Sequence, residues 1–382
     1  MYANKKRMNH DMAVSPIVAT LVLIVVAVIG AVAVGTIMGT FSSDVSKQAN
    51  AGQAASASQT QVLVAGSTTL QPAELNLQSD YQKLNPGVQL NVQGGGSGAG
   101  VVAVANGIAD IGASSSASAI TSAQAANPND PNFQNLYYTM IGGRGVVWIQ
   151  DASKVAVAGN VIDAADLNTA YLDASTNGGK TTAATTGADP IASGVTMLQR
   201  EASSGTMSTA FGWAGSAMSA NKTPGFSGIT TEPGNAQMLA AVQAGTSAKP
   251  VIGFVDSGYA ISGGILSNTS ASGISLMGVS QDSITYVPTH ANIEAALKDW
   301  VKGNSQTIST SNYPQKLTGG LYWITRGNSP TVSNAAGIIT SSGSSSASSV
   351  VTNLINFAKA PTEATAYENA GMYSIYDFAP TS

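Results

Sequence analysis

From Ala13 to Phe41 the chain is dominated by Val, Ile, Ala and Leu, with no ionisable side chain between Asp11 and Asp44. Wound as a helix, this run would span about 42 Å, enough to cross a hydrocarbon core of about 30 Å. Lys5, Lys6 and Arg7 precede it and Asp44 follows. That charge order predicts one transmembrane helix over 13–41, with residues 1–12 as a basic cytoplasmic leader and the remaining chain outside. Residues 42–60 are small and polar without an apolar period and read as a linker.

Beyond the linker, short β-rich runs alternate with helical ones. Val62–Ala65 predicts a strand, Gly66–Thr69 a turn, and Pro72–Leu84 a helix with Leu75, Leu77, Tyr81 and Leu84 at roughly helical spacing, stopped by Asn85-Pro86-Gly87. Val88–Val92 alternates as a strand, Gly94–Gly100 reads as a loop, a helix starts at Val101, and a third short strand ends near Ile111. Further strands are expected at Gly145–Ile149, Val195–Leu198, Val251–Val255, Ser283–Val287 and Leu321–Thr325. Helices are expected at Met207–Trp213, at Ala291–Val301 behind a Thr289 cap, and at Val350–Lys359, where Leu354, Ile355 and Phe357 are core candidates. Ser341–Ser349 reads as a surface loop. Strands alternating with helices predict an α/β fold whose mixed sheet is covered by helices.

Composition narrows the chemistry. Only 9% of residues are charged, against about 25% in an average soluble domain. With 43% hydrophobic residues the chain can nevertheless bury a core. There is no cysteine, which excludes disulfides, thiolate zinc sites and thiol catalysis. No basic run lies beyond the first seven residues, so no nucleic-acid partner is expected. His10 and His290 are the only imidazoles, and Thr289-His290-Ala291 reads as a helix start, which leaves a serine nucleophile without a base. Gly94–Gly100 lacks the Gly-Lys-Ser/Thr ending of a P-loop and meets only a relaxed dinucleotide pattern. No enzyme activity, metal or cofactor is expected.

What remains is a set of Gly, Ser and Thr loops, each between a strand and a helix: Ser67-Thr68-Thr69, Gly96-Ser97-Gly98, Ser114-Ser115 and Ser204-Gly205-Thr206. Singly, each reads as a helix cap. Together they offer backbone N–H groups and hydroxyls able to surround an anion. Arg200, four residues before Ser204, adds a planar fork suited to phosphate-like oxygens, and only Arg144 and Arg326 join it outside the N-terminal segment.

The order and spacing of these loops resemble the phosphate-binding proteins of ABC importers, two-lobed proteins of the periplasmic-binding-protein fold, type II. The resemblance runs over roughly 61–382. Its carriers are Gly66–Pro72, Gly94–Gly100 with Ser97, Ala109–Ser115 and Arg200–Thr206, with weaker matches at Pro250–Val255 and Tyr313-Pro314. It implies that lobe I comprises 61–143 and 314–382, lobe II comprises 144–313, and the hinge crosses near Gly142–Gly145 and Tyr313–Leu317. It further implies a phosphate site of Ser67, Thr68, Thr69, Leu70, Ser97, Ser115, Arg200, Ser204, Gly205 and Thr206, and an ABC permease as partner. Ser115 stands where well-known members have an aspartate that accepts the proton of hydrogen phosphate, and Ala202 stands where they pair the arginine with an acid, leaving Glu201 as the substitute. Phosphate, sulfate, molybdate and tungstate therefore stay open as ligands.

Ala13-Val14-Ser15-Pro16-Ile17, directly after the charged leader, resembles the class III signal of archaeal type IV pilin-like proteins. Such signals are cut before the apolar helix, here between Ala13 and Val14, although Met12 stands where they usually carry a charge. The resemblance implies a retained membrane helix and leaves open a second reading, a pilin-like filament protein whose head borrowed the binding fold. Asn221-Lys222-Thr223 and Asn268-Thr269-Ser270 are acceptor patterns for N-glycosylation.

Overall fold

The computed structural model describes residues 59–379 apart from 222–223, 263–268, 304–308, 328–330, 334–338 and 342–343. The expected leader and anchor, the linker up to residue 58, and Lys222, Thr223 and Asn268 of the glycosylation patterns lie outside the described residues. Among the described residues, no helix is long and apolar enough to cross a membrane.

The chain opens with β1 (Thr60–Gly66), α1 (Gln71–Leu84), β2 (Val88–Gly94), α2 (Ser97–Ala105), β3 (Ile111–Ser114), α3 (Ala117–Ala126) and the 16-residue strand β4 (Leu136–Asp151). It continues with α4 (Ala164–Thr176), β5 (Thr196–Arg200), α5 (Gly205–Ala214), β6 (Thr230–Glu232), α6 (Asn235–Gln243) and β7 (Val251–Asp256). After a hairpin of Gly278–Gln281 with Ile284–Tyr286 come α7 (His290–Val301), β8 (Thr318–Arg326) and α8 (Ser349–Ala358).

The main sheet has the order β2-β1-β3-β8-β4-β7-β5-β6, with Ile274–Leu276 and Tyr373–Ser374 pairing on β4. β1 is parallel to β2 and β3, β5 is parallel to β6 and β7, and β8 and β4 run antiparallel to their neighbours, so the sheet is mixed. β4 joins two halves. Leu136–Gly145 pairs with β8, and from Val146, opposite Asp256, the same strand pairs with β7. Two apolar cores sit on either side of that changeover. One gathers Val62, Val64, Leu77, Tyr81, Ile111, Leu321, Trp323 and Leu354; the other gathers Trp148, Tyr171, Met197, Phe211, Phe254 and Ile293. Trp148 meets Phe254 edge-on at 5.0 Å and Tyr171 meets Phe211 at 5.2 Å, the offset geometry that aromatic quadrupoles favour.

Three differences from the sequence reading have local causes. α2 starts at Ser97, four residues before the expected start, so the loop shortens to its first glycines. Gly100 then lies against the sheet, where a Cβ would be 2.6 Å from the Ala113 carbonyl oxygen and 2.7 Å from that of Ala65. The glycines read as a loop signal in fact let a helix approach two strands. On α1, Leu77 and Tyr81 enter the core while Leu75 and Leu84 are exposed, because Leu75 is about 200° around the helix from Leu77 and Leu84 closes the last turn. The strand read at Gly145 begins nine residues earlier, with Gly142, Gly143 and Gly145 inside it, packed under Tyr367, Phe378 and Ile293. Thr289 caps α7 as expected, its hydroxyl accepting from Asn292 N at 3.1 Å. Val351, Leu354 and Ile355 of α8 are buried, and Phe357 meets Tyr81 edge-on at 5.1 Å.

Candidate functional site

β1, β2 and β3 are parallel, so their carboxyl ends deliver Ser67–Leu70, Ser97 and Ser115 to one edge of the first half. β5 delivers Arg200 and the start of α5 from the second half. This is the edge at which open α/β sheets bind ligands. Ser67, Thr69, Leu70, Ser97, Ser115, Arg200, Ser204, Gly205 and Thr206 are all buried, and Thr68 is half-buried.

The loops meet across the two halves. Ser97 Oγ accepts from Ser115 N at 3.0 Å and lies 3.2 Å from Ser115 Oγ. A Cβ on Gly205 would sit 2.7 Å from Ser115 Oγ and 2.8 Å from Ser97 Oγ, so only glycine admits this contact. Gly98 N donates to Ser203 O at 3.3 Å, and Thr69 Oγ1 lies 3.3 Å from Thr206 Oγ1. Ser204 caps α5 by accepting from Met207 N at 3.2 Å. α1, α2 and α3, beginning behind Leu70, Gly96 and Ser116, have no side-chain cap. Apart from Gly98 N, which Ser203 O takes, and Pro72, which has no N–H, their first-turn amides have no side-chain acceptor from the cap residue, at helix ends where partial positive charge collects.

Both buried arginines are tied down. Arg200 makes a two-point pair with Glu201, Nε to Oε2 at 2.8 Å and Nη2 to Oε1 at 2.9 Å, as expected of the substitute acid. Its Nη1 donates to Asn235 Oδ1 at 2.7 Å and its Nη2 to Thr68 Oγ1 at 3.3 Å. Arg144 lies where β4 changes partners. It donates through Nε and Nη2 to the Ser115 carbonyl, through Nη1 to Asp256 Oδ1 at 2.9 Å, and through Nη2 to Gly205 O at 3.2 Å and Thr209 Oγ1 at 2.7 Å. One guanidinium thus holds the third loop of the first half against the helix start of the second.

The sequence reading missed Asp256, Asn235 and Tyr259 and gave Arg144 no role. Asp256 ends β7 and is 1% exposed. Its Oδ2 accepts from Thr69 Oγ1 at 2.6 Å, Thr206 Oγ1 at 2.5 Å and Asn235 Nδ2 at 2.9 Å. Asn235 Nδ2 also donates to Thr69 Oγ1 at 3.1 Å. Tyr259 donates its hydroxyl to Thr68 O at 2.9 Å. Burial, with Asp256 adding and Arg200 opposing, pushes that hydroxyl up to about 12, so it stays a donor. One signal could have found Asp256: it directly follows an apolar strand, at the carboxyl end where the other site loops lie.

His290 begins α7 and is buried, with Nδ1 2.9 Å from Tyr373 Oη. Burial lowers it to about 4, against a smaller opposing effect of Glu294. Its partner Tyr373 belongs to the second core. Among the described residues no group of three or more His, Asp or Glu could hold a metal ion.

The fold is a mixed α/β, two-lobed one, and at one edge of its sheet hydroxyls, amides and two ion-paired arginines from both halves meet in a buried cluster. The chain belongs to the PBP superfamily, whose domain model matches residues 51–301. Among solved structures, a Clostridium perfringens chain described as a phosphate ABC transporter substrate-binding protein, with phosphate bound, aligns with a TM-score of 0.53 at 14% identity, covering 82% of this chain and 99% of that one. An ABC-type phosphate transport receptor from Vibrio cholerae aligns with a TM-score of 0.50 at 15% identity, over 82% and 99%. At such identities the likeness is one of fold. No curated protein matches the chain by sequence.

Proposed function

We propose that the chain captures an oxyanion, inorganic phosphate first among them, between its two lobes and presents it to the permease of an ABC importer. The observation that carries this reading is the convergence of four hydroxyl-bearing loops, from both halves, on one buried cluster beside Arg200 and Arg144. Uncapped helix starts and hydroxyls supply neutral dipoles, which suit a desolvated anion without an excess of positive charge. The fold shared with a phosphate-bound structure supports the choice of ligand class. In this reading 61–143 with 314–382 and 144–313 are the lobes, and closure about β4 and the segment before β8 traps the ligand. The apolar segment 13–41 anchors the chain in a membrane, with the binding domain outside.

Isothermal titration of the detergent-solubilised full-length chain with phosphate, sulfate, molybdate and tungstate tests the reading. Phosphate should bind, and Arg200→Ala should weaken it by about 100-fold, the scale of a lost charge-assisted contact. Unchanged affinity in that variant removes Arg200 from the site. The pilin-like start at Ala13–Ile17 supports a second reading, assembly into a surface filament. Filaments in electron micrographs together with no bound phosphate would favour it.

A further inference from the structure

The hydroxyls of Thr69 and Thr206 do not face a ligand as donors, because Asp256 has already taken their protons. A threonine hydroxyl holds one proton and two lone pairs, while an ionised carboxylate can only accept. Asp256 is ion-paired with Arg144 through Oδ1, and its Oδ2 lies 2.6 Å from Thr69 Oγ1 and 2.5 Å from Thr206 Oγ1. Both hydroxyls therefore donate inward to the carboxylate. Asn235 Nδ2 donates to one lone pair of Thr69 and fixes the same carboxylate oxygen from a third side. What the two threonines have left to present is lone pairs, one on Thr69 and two on Thr206.

We infer that Asp256, positioned by Arg144 and Asn235, turns Thr69 and Thr206 into acceptors and so makes the site selective for oxyanions that carry a proton. This rests on the oxyanion reading above and assigns that site its ligand class, hydrogen phosphate and its analogues. A protonated oxyanion can donate its P–OH or As–OH to a threonine lone pair. Sulfate, which carries no proton at neutral pH, places oxygen lone pairs against those of threonine and pays for the desolvated repulsion. Other neighbours of the cluster are not fixed as acceptors: of the Ser97 and Ser115 hydroxyls, 3.2 Å apart, one donates to the other and the second keeps a proton free to turn outward, while Glu201 is engaged on both oxygens by Arg200. The selectivity left open by serine at position 115 is thus met from another strand, through two hydroxyls rather than by the carboxylate itself.

The test is competitive titration of the full-length chain in detergent with phosphate, arsenate and sulfate. The unaltered protein should bind phosphate and arsenate at least about 100-fold more tightly than sulfate, the scale of one repelled and one lost buried hydrogen bond. Thr206→Val, close to isosteric, removes an acceptor and should narrow the phosphate-to-sulfate ratio by about tenfold. Thr206→Ser, which restores the hydroxyl, should recover the ratio. Asp256→Asn, which frees the threonine protons, should narrow it further by letting sulfate bind. A merely structural role would lower both affinities together and leave the ratio alone. Sulfate bound within tenfold of phosphate by the unaltered chain overturns the inference but not the oxyanion reading. A ratio unmoved in folded Thr206→Val overturns it as well, and this holds even where Asp256→Asn does not fold. No oxyanion bound at all overturns both.

Discussion

Arg144→Met should be among the most damaging single substitutions outside the apolar cores. Arg144 and Asp256 are each 1% exposed and pair at 2.9 Å. Removing one partner of such a pair typically costs about 3–5 kcal/mol, because the other charge stays buried without compensation. Here the Ser115 and Gly205 carbonyls and the Thr209 hydroxyl lose their donor too. Against a total stability of about 5–15 kcal/mol this is a large fraction. At roughly 2–4 °C per kcal/mol for a unit of this size, the melting temperature should fall by about 10 °C. Methionine keeps most of the side-chain volume, so the loss measures charge and hydrogen bonding more than a cavity. The assay is a double-mutant cycle by circular-dichroism melting and urea unfolding of the parent, Arg144→Met, Asp256→Asn and the double variant. Once Asp256 no longer carries a charge, losing Arg144 should hurt less, giving a coupling of at least about 1.5 kcal/mol. Strict additivity, or a single variant that melts within 1 °C of the parent, would refute the reasoning that this pair holds the halves together.

Gly205→Ala should act through contact alone. The new methyl would sit under 3 Å from Ser97 Oγ and Ser115 Oγ, and those serines are held in place by Arg144 and by each other. An overpacking cost of about 1–3 kcal/mol and a loss of phosphate affinity of tenfold or more are expected, read by titration and melting; unchanged affinity would show that the halves need not touch. Glu74 gives a pH signature. Burial raises its carboxyl to about 8, partly offset by the hydrogen bond from Trp323 Nε1 at 2.7 Å, whereas in the unfolded chain it titrates at its ordinary value of 4.5. The folded state therefore holds the proton more tightly, and this stabilisation, full below pH 4.5, is lost as pH rises through about 8. The slope approaches about 1.4 kcal/mol per pH unit within that window. Glu74→Gln, which still accepts from Trp323, should flatten the fall in melting temperature between pH 5 and 8; an unchanged slope would contradict it. His290 works in the opposite sense. With its folded value lowered to about 4, its stabilisation is present above pH 6.5 and lost as pH falls through 4, so acid unfolding should be milder in His290→Gln.

The loops of the site were legible because a short apolar strand followed by Gly, Ser and Thr and then a helix is a local pattern, and each of the four loops is contiguous in the chain. The contacts among them were not. Asp256 stands 187 positions from Thr69, and Asn235 stands 35 from Arg200. Neither belongs to a motif, so only the sheet order shows that they meet. Arg144 was visible as one of three arginines beyond the N-terminal segment, but its role depends on β4 changing partners beside it, which no periodicity reveals. The glycines misled in both directions. Around Gly98 and Gly100 they lie in a helix that needs to approach two strands, and at Gly142–Gly145 they lie in a strand covered by large aromatic and aliphatic side chains, though glycine counts as a breaker in both settings.

The charge arrangement has a consequence for binding strength. After Phe41 the chain has 13 basic and 19 acidic residues, so that part as a whole repels anions. Inside the site each arginine already has a carboxylate, Asp256 for Arg144 and Glu201 for Arg200, and the cluster adds no net charge. Attraction must then come from oriented N–H and O–H dipoles a few ångströms from the ligand. Screening acts over about 10 Å at 0.1 M salt and 3 Å at 1 M, so it barely reaches contacts made in a buried cleft. Phosphate affinity should accordingly change by less than about threefold between 0.05 and 1 M potassium chloride, measured by titration at constant pH. A site that drew its ligand by unpaired arginines would lose far more, and a steep fall with salt would mean that Arg144 or Arg200 leaves its carboxylate when the anion arrives.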